Sequence, residues 1–129
     1  MRSFAAFGRA AHTRARGRIA EKEARRWLER EGFEIVAVNF ATKVAEIDVV
    51  AREGETLCFI EVKARTGTGF GSAAEAVPPR KQLRIARAAS LFLARSGWDG
   101  PCRFDVLAMD GNREEWRFDL VRDAFHVEG

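Results

Sequence analysis

Glu46-Ile47-Asp48-Val49-Val50-Ala51-Arg52-Glu53-Gly54-Glu55-Thr56-Leu57-Cys58-Phe59-Ile60-Glu61-Val62-Lys63-Ala64-Arg65 reads as a β-hairpin carrying Glu46, Asp48, Glu61 and Lys63 where strands are ordinarily apolar. Successive side chains of a strand point to opposite faces, so Glu46, Asp48 and Val50 share one face, and Ile47 and Val49 the other. In the second run Leu57, Phe59, Glu61 and Lys63 fall together. A primed two-residue turn at Glu53-Gly54, with glycine accepting positive φ, sets Arg52 opposite Glu55, Asp48 opposite Phe59 and Glu46 opposite Glu61. Asp48 and Glu61 are then diagonal neighbours, about 7 to 8 Å apart at the backbone. Parity decides this: a three-residue loop would send Glu61 and Lys63 to the other face.

Two carboxylates converging on a sheet face repel each other and lose hydration. A hard divalent cation removes that conflict. Mg²⁺ takes oxygen ligands, typically one or two carboxylates with waters and substrate phosphate. A lysine beside the ion can orient or deprotonate the attacking water, or stabilise charge building on a phosphate. The plain alternative is a solvated hairpin face on which Lys63 pairs with Glu61 or Glu46.

Asp48, twelve intervening residues and Glu61-Val62-Lys63 resemble the signature of the PD-(D/E)-x-K nuclease superfamily. Glu21-x-x-Ala24, Gly32-Phe33, Asn39, Glu46-Ile47-Asp48, Phe59 to Lys63, Arg65, Phe70-Gly71, Lys81 and Arg103-Phe104-Asp105-Val106 are similar to the YraN-like bacterial family. That likeness runs from about Gly17 to Phe125. It departs at Ala20 and Ala45, where the family usually has glycine, and at Val38, where arginine usually precedes the asparagine. The resemblance implies an α/β fold with a restriction-endonuclease-like core, a central mixed β-sheet flanked by helices. It further implies a Mg²⁺- or Mn²⁺-dependent phosphodiesterase or endonuclease acting on DNA. With no base-reading motif such as a zinc finger in the sequence, branched or single-stranded DNA is the expected substrate. Asp48, Glu61 and the Val62 carbonyl would hold the metal, Lys63 would position water, and Glu21 would add a carboxylate. A module that binds nucleic acid or docks a protein without turnover is the competing reading.

The 129 residues suit one domain, expected over 17–129, with 47% hydrophobic and 32% charged residues. Net charge is only +3, yet residues 1–30 hold nine Lys or Arg against three Asp or Glu. A basic end on a nearly balanced body suits contact with phosphate. Residues 1–16 contain no acid and read as a flexible basic arm, a composition shared with organellar presequences. No apolar run approaches the ~20 residues that span a bilayer. The expected location is the cytoplasm, and a homodimer stays open. Cys58 and Cys102 lack metal-site spacing and are expected to be reduced and buried or half-buried; His12 and His126 lie near the two termini.

Ala20, Ala24, Trp27 and Leu28 recur at helical spacing between Gly17 and Glu31, with Gly32 as the stop. Glu21 and Glu23 border opposite sides of that stripe, and periodicity does not choose between them. The resemblance favours Glu21. Phe33 to Phe40 reads as the first strand. The glycine-rich stretch from Thr66 to Pro79 reads as a substrate-contacting loop or as plain disorder. A helix follows over Arg80 to Ser96, its stripe expected at Leu83, Ala86, Ala89, Phe92 and Leu93. Arg80, Lys81, Arg84 and Arg87 gather on another side, suited to a nucleic-acid backbone together with Arg65, or merely solvated. Cys102 to Met109 and Glu114 to Val121 read as a second hairpin about Asp110-Gly111-Asn112. Within it Asp105 either shapes the acidic site or pairs with Arg103 or Arg65; like Glu46, it is expected to support the site.

Overall fold

The hairpin's turn sets the register of the whole sheet. In a computed structural model that describes residues 8–65, 77–111 and 114–127, with side chains from Ile19 onward except Arg65, Glu53 pairs with Thr56. The turn residues are therefore Gly54-Glu55 and not Glu53-Gly54. Gly54, with φ 61°, stands first, where a type II′ turn takes its glycine. The expected turn would have asked Glu53 for a positive φ, which is costly for an ordinary side chain. The loop keeps two residues, so parity holds while the register slides by two. Continued one step past Val49–Ile60, it sets Asp48 opposite Glu61 instead of diagonal to it.

In chain order the elements are α1 (Gly8–Arg30), β1 (Glu34–Ala41), β2 (Glu46–Glu53), β3 (Thr56–Arg65), α2 (Pro79–Ser96), β4 (Cys102–Gly111) and β5 (Trp116–Phe125). They form the expected α/β fold: one five-stranded mixed sheet, ordered β1-β2-β3-β4-β5, flanked by two helices. Only β3 and β4 run parallel, because α2 carries the chain back between them. The hairpin thus supplies the central strand, β3. Helix α1 begins at Gly8, nine residues before the expected start, and takes in the second half of the stretch read as an arm. Strand β5 starts and ends later than expected, pairing Trp116 with Gly111.

Alternate residues of the central strands feed two cores. Val49, Ala51, Cys58, Ile60, Leu107 and Met109 pack with Ala20, Ala24 and Leu28 of α1. Val50, Leu57, Phe59, Val106 and Ala108 pack with Ile85, Ala88 and Ala89 of α2. Ile47 breaks the alternation. It was expected beside Val49 but packs in the α2 core with Val50. Across from Asp48 lies Asn39, between the pairs Val38–Val49 and Phe40–Ile47, and its φ is 51°. A left-handed residue here twists the edge of the sheet, a conformation asparagine tolerates better than most.

Helix α2 is rotated from the expected stripe. Ile85, Ala88 and Ala89 are buried, whereas Leu83 is 49% exposed. Val77, buried in the same core just ahead of Pro78, fixes the helix's entry, and the two alanines let it lie close to the sheet. The helix stops at Gly97, φ 73°, whose N–H donates to the Leu93 carbonyl. Cys58 is buried as expected, its thiol pushed up to about 12 mainly by burial. Cys102 is exposed, contrary to expectation, because it opens β4 before the strand enters the core.

One end of the sheet is closed by ion pairs. Arg103 donates to both oxygens of Asp105, at 2.9 and 3.1 Å, and to Glu53. Arg122 donates twice to Glu53, at 2.9 and 2.7 Å, and the Asp123 N–H donates to Asp105. Fully buried Asp105 is thus completely compensated. The Arg122 and Arg103 hydrogen bonds hold Glu53 down near 2. A depressed carboxyl stabilises the fold above its unfolded value of 4.5 and loses that contribution as pH falls toward 2. Glu53→Gln should therefore cost about 1–2 kcal/mol at pH 7, the scale of a partly exposed bidentate pair. In urea unfolding, the gap from wild type should narrow steadily from pH 5 to pH 3.

Candidate metal and phosphate site

At the other end the ladder between β2 and β3 stops being regular, and there the charges collect. The Val62 N–H donates to Asp48 Oδ2 at 2.8 Å, so the Asp48 side chain takes a backbone donor that a neighbouring strand would otherwise pair. Asp48 and Glu61 are brought together by this contact. Around them is a cavity of about 420 Å³ lined by Ala20 and Glu21 of α1, Glu46 and Asp48 of β2, Glu61 to Ala64 of β3, and Lys81 of α2. Entry into β2 is shaped by a tight turn in which Thr42 Oγ1 accepts the Ala45 N–H at 3.1 Å and donates to the Ala45 carbonyl at 3.0 Å. Ala45 has no positive φ, so the path into Glu46 does not call for a glycine there.

Asp48 is pushed up to about 8, first by burial, then by the charge of Glu61, with further contributions from a hydrogen bond between the two carboxyls and from Glu21. The Val62 N–H pulls the other way. Two carboxyls in contact cannot both stay ionised at low cost, so Asp48 holds a proton near neutral pH unless a cation replaces it. Lys63 sits 3.8 Å from Glu61 Oε2 and is held below its ordinary value, first by burial and then by the charge of Lys81. Glu61 itself is only 7% exposed, and its Oε2 lies 2.5 Å from Lys81 Nζ.

Glu21, Glu46, Asp48, Glu61, Val62 and Lys63 all meet at this cavity. Glu23, the other candidate on α1, instead lies 3.4 Å from Arg26. Asp105 is not on the cavity wall; it belongs to the opposite end, bound to Arg103. Arg80, Arg84 and Arg87 are exposed along α2, and the Arg65 side chain lies outside the described residues, as does 66–76 of the glycine-rich loop. The residue placed differently from expectation is Lys81. Expected on the outer basic ridge, it leads the buried stripe, four residues before Ile85, and that spacing is the signal that places it over the sheet.

The donors suit a hard cation. Asp48, Glu61 and the Val62 carbonyl offer only oxygen, the ligand set of Mg²⁺ or Mn²⁺. Among the described residues, no three His, Cys, Asp or Glu side chains close around one point, so water and substrate oxygens would complete the coordination. Across the sequence, residues 20–109 match the model of an uncharacterised protein family, UPF0102. The chain belongs to the UPF0102 family. It is 46% identical to a UPF0102 protein of Desulforapulum autotrophicum, covering 87% of this chain and 93% of that one. A UPF0102 protein of Halorhodospira halophila is 45% identical, covering 89% and 90%, and one of Burkholderia pseudomallei is 44% identical, covering 95% and 83%. The UPF0102 match spans every residue lining the cavity.

Between pH 4 and 8 the folded chain holds a proton on Asp48 that the unfolded chain has released, so stability falls as pH rises through that window. Asp48→Asn keeps an acceptor for the Val62 N–H and removes the buried charge. It should stabilise the protein by about 1–3 kcal/mol at pH 8 to 9 and by less at pH 5. Thermal unfolding across that range checks it: the same change in stability at both pH values would contradict the protonation assigned to Asp48.

Proposed function

We propose that the cavity is the site of a Mg²⁺- or Mn²⁺-dependent phosphodiesterase acting on DNA. The observation carrying this reading is that Asp48 and Glu61 converge in one cavity with Lys63, two residues beyond Glu61 on the same strand. Two carboxylates and a lysine in this relation are the arrangement that the PD-(D/E)-x-K resemblance implies.

Asp48, Glu61 and the Val62 carbonyl would hold the ion, which when bound polarises the scissile phosphate and lowers the pKa of a coordinated water. Lys63 supplies the proton handling. Its lowered basicity suits it to accept a proton from the attacking water at Nζ, or to hold that water by hydrogen bonding. Glu21, from α1, adds negative charge to the cavity wall, favouring a cation over an anion between the acids. Arg80, Arg84 and Arg87 present three guanidinium groups to solvent on the helix that borders the cavity, suited to contacts with backbone phosphates rather than bases. No base-reading motif accompanies them, which favours recognition by shape, as with flapped, single-stranded or branched DNA.

One observation favours a second reading, a binding module without turnover. Glu61 already has an ammonium partner in Lys81, so its charge is compensated without a metal. Labelled duplex, single-stranded, flapped and four-way DNAs incubated in Mg²⁺ and in Mn²⁺ separate the two. The expected result is metal-dependent cutting of at least one substrate, reduced by roughly 10²-fold or more in both Asp48→Ala and Lys63→Ala. Salt-dependent binding without cutting above the variants' background would establish the binding module instead.

A further inference from the structure

Lys81 and Lys63 compete for one oxygen. Lys81 Nζ lies 2.5 Å from Glu61 Oε2, and Lys63 Nζ lies 3.8 Å from the same atom. That oxygen is also one of those a divalent cation between Asp48 and Glu61 would take. The cavity wall carries four acidic side chains, Glu21, Glu46, Asp48 and Glu61, against these two lysines. A divalent ion held by Asp48 and Glu61 would replace the ammonium charge now beside Glu61, leaving Lys81 for an incoming phosphate.

We propose that Lys81 is a metal-gated phosphate ligand, held on Glu61 in the metal-free protein and released to the DNA backbone when a divalent cation takes Glu61 Oε2. The inference rests on the phosphodiesterase reading of the site. Geometry distinguishes the two lysines in this role. Lys63 is carried on β3, whose backbone is fixed between neighbouring strands, with Ala108 of β4 as its partner. Lys81 rises from the first turn of α2, with its side chain 35% exposed, and can exchange Glu61 for a ligand at the cavity mouth without moving the backbone. The same turn carries no acid of its own and no side-chain cap, so the helix end itself does not repel a phosphate. Exposed Arg80 and Arg84 flank it on the solvent side, which places Lys81 where a backbone running along α2 turns inward to the carboxylates.

The test is the salt dependence of DNA binding, measured with Ca²⁺ as a probe cation and, separately, with EDTA, for wild type, Lys81→Met, Lys81→Gln and Arg84→Gln. Each lysine or arginine on a phosphate contributes about 0.7 to 0.9 to the slope of log K against log salt. In Ca²⁺ both Lys81 variants should lose about one such contact. In EDTA they should match wild type, because Lys81 is then occupied by Glu61. Arg84→Gln should lower the slope equally in both conditions. Mn²⁺ titration followed by electron paramagnetic resonance should show tighter binding in Lys81→Met, by several-fold, since the ion no longer displaces an ammonium. Equal slope losses with and without Ca²⁺, or none in either, would overturn the gate while leaving Mn²⁺ binding and cleavage by the wild type in place. A wild type that neither binds Mn²⁺ nor cuts DNA would instead overturn the phosphodiesterase reading and the gate with it.

Discussion

The contact between the carboxyls of Asp48 and Glu61 is the constraint around which the two helices and the hairpin are arranged. It arises where β2 leaves regular pairing with β3 and the Val62 N–H turns to Asp48 Oδ2. Such a contact is unfavourable unless its surroundings supply a proton or a cation. The fold supplies both lysines, each from a different element: Lys63 from the central strand and Lys81 from α2. Helix α1 brings Glu21 to the same place because Ala20 and Ala24, one on each side of it in sequence, are buried against the sheet.

Charge is treated oppositely at the two ends of this sheet. At one end Asp105 and Glu53 each have an arginine, Arg103 is shared by both, and the Arg122–Glu53 pair is bidentate. Around Asp48 the acids outnumber the bases, and one carboxyl is raised instead of lowered. The two clusters share β2, which carries Asp48 near one end and Glu53 at the other. What differs is the partner: guanidinium groups satisfy carboxylates permanently, whereas ammonium groups on flexible stems can leave. Perturbed carboxyls beside a cavity are a mark of functional sites, and the fully paired cluster reads as structural.

Much of this was legible from residues 46–65. The alternation of apolar and charged positions placed Asp48, Glu61 and Lys63 together because both two-residue turns, at 53–54 or at 54–55, preserve parity. The exact register was not legible, since it turns on which residue accepts positive φ. Nor was the phase of Ile47, which depends on the left-handed Asn39 across the ladder in β1. On α2, Leu83-Ala86-Ala89-Phe92 and Ile85-Ala88-Ala89-Phe92 are both acceptable helical stripes, and burial of Val77 before the helix decides between them. The ion-pair cluster joins Glu53, Arg103 and Arg122 across three separate strands, and no local pattern announces such a pairing.

The choice between stripes on α2 has the widest consequence. Had Leu83 and Ala86 faced the sheet, Lys81 would have joined Arg84 on the outside, and Glu61 would have been left with Lys63 at 3.8 Å. A carboxylate only 7% exposed with one distant ammonium is poorly compensated. The rotation that buries Ile85, Ala88 and Ala89 therefore does two things at once. It fills the core beneath β2 and β3, and it delivers a second cation to buried Glu61. Packing of alanines against a sheet, a requirement remote from any chemistry, thereby sets the electrostatics of the cavity.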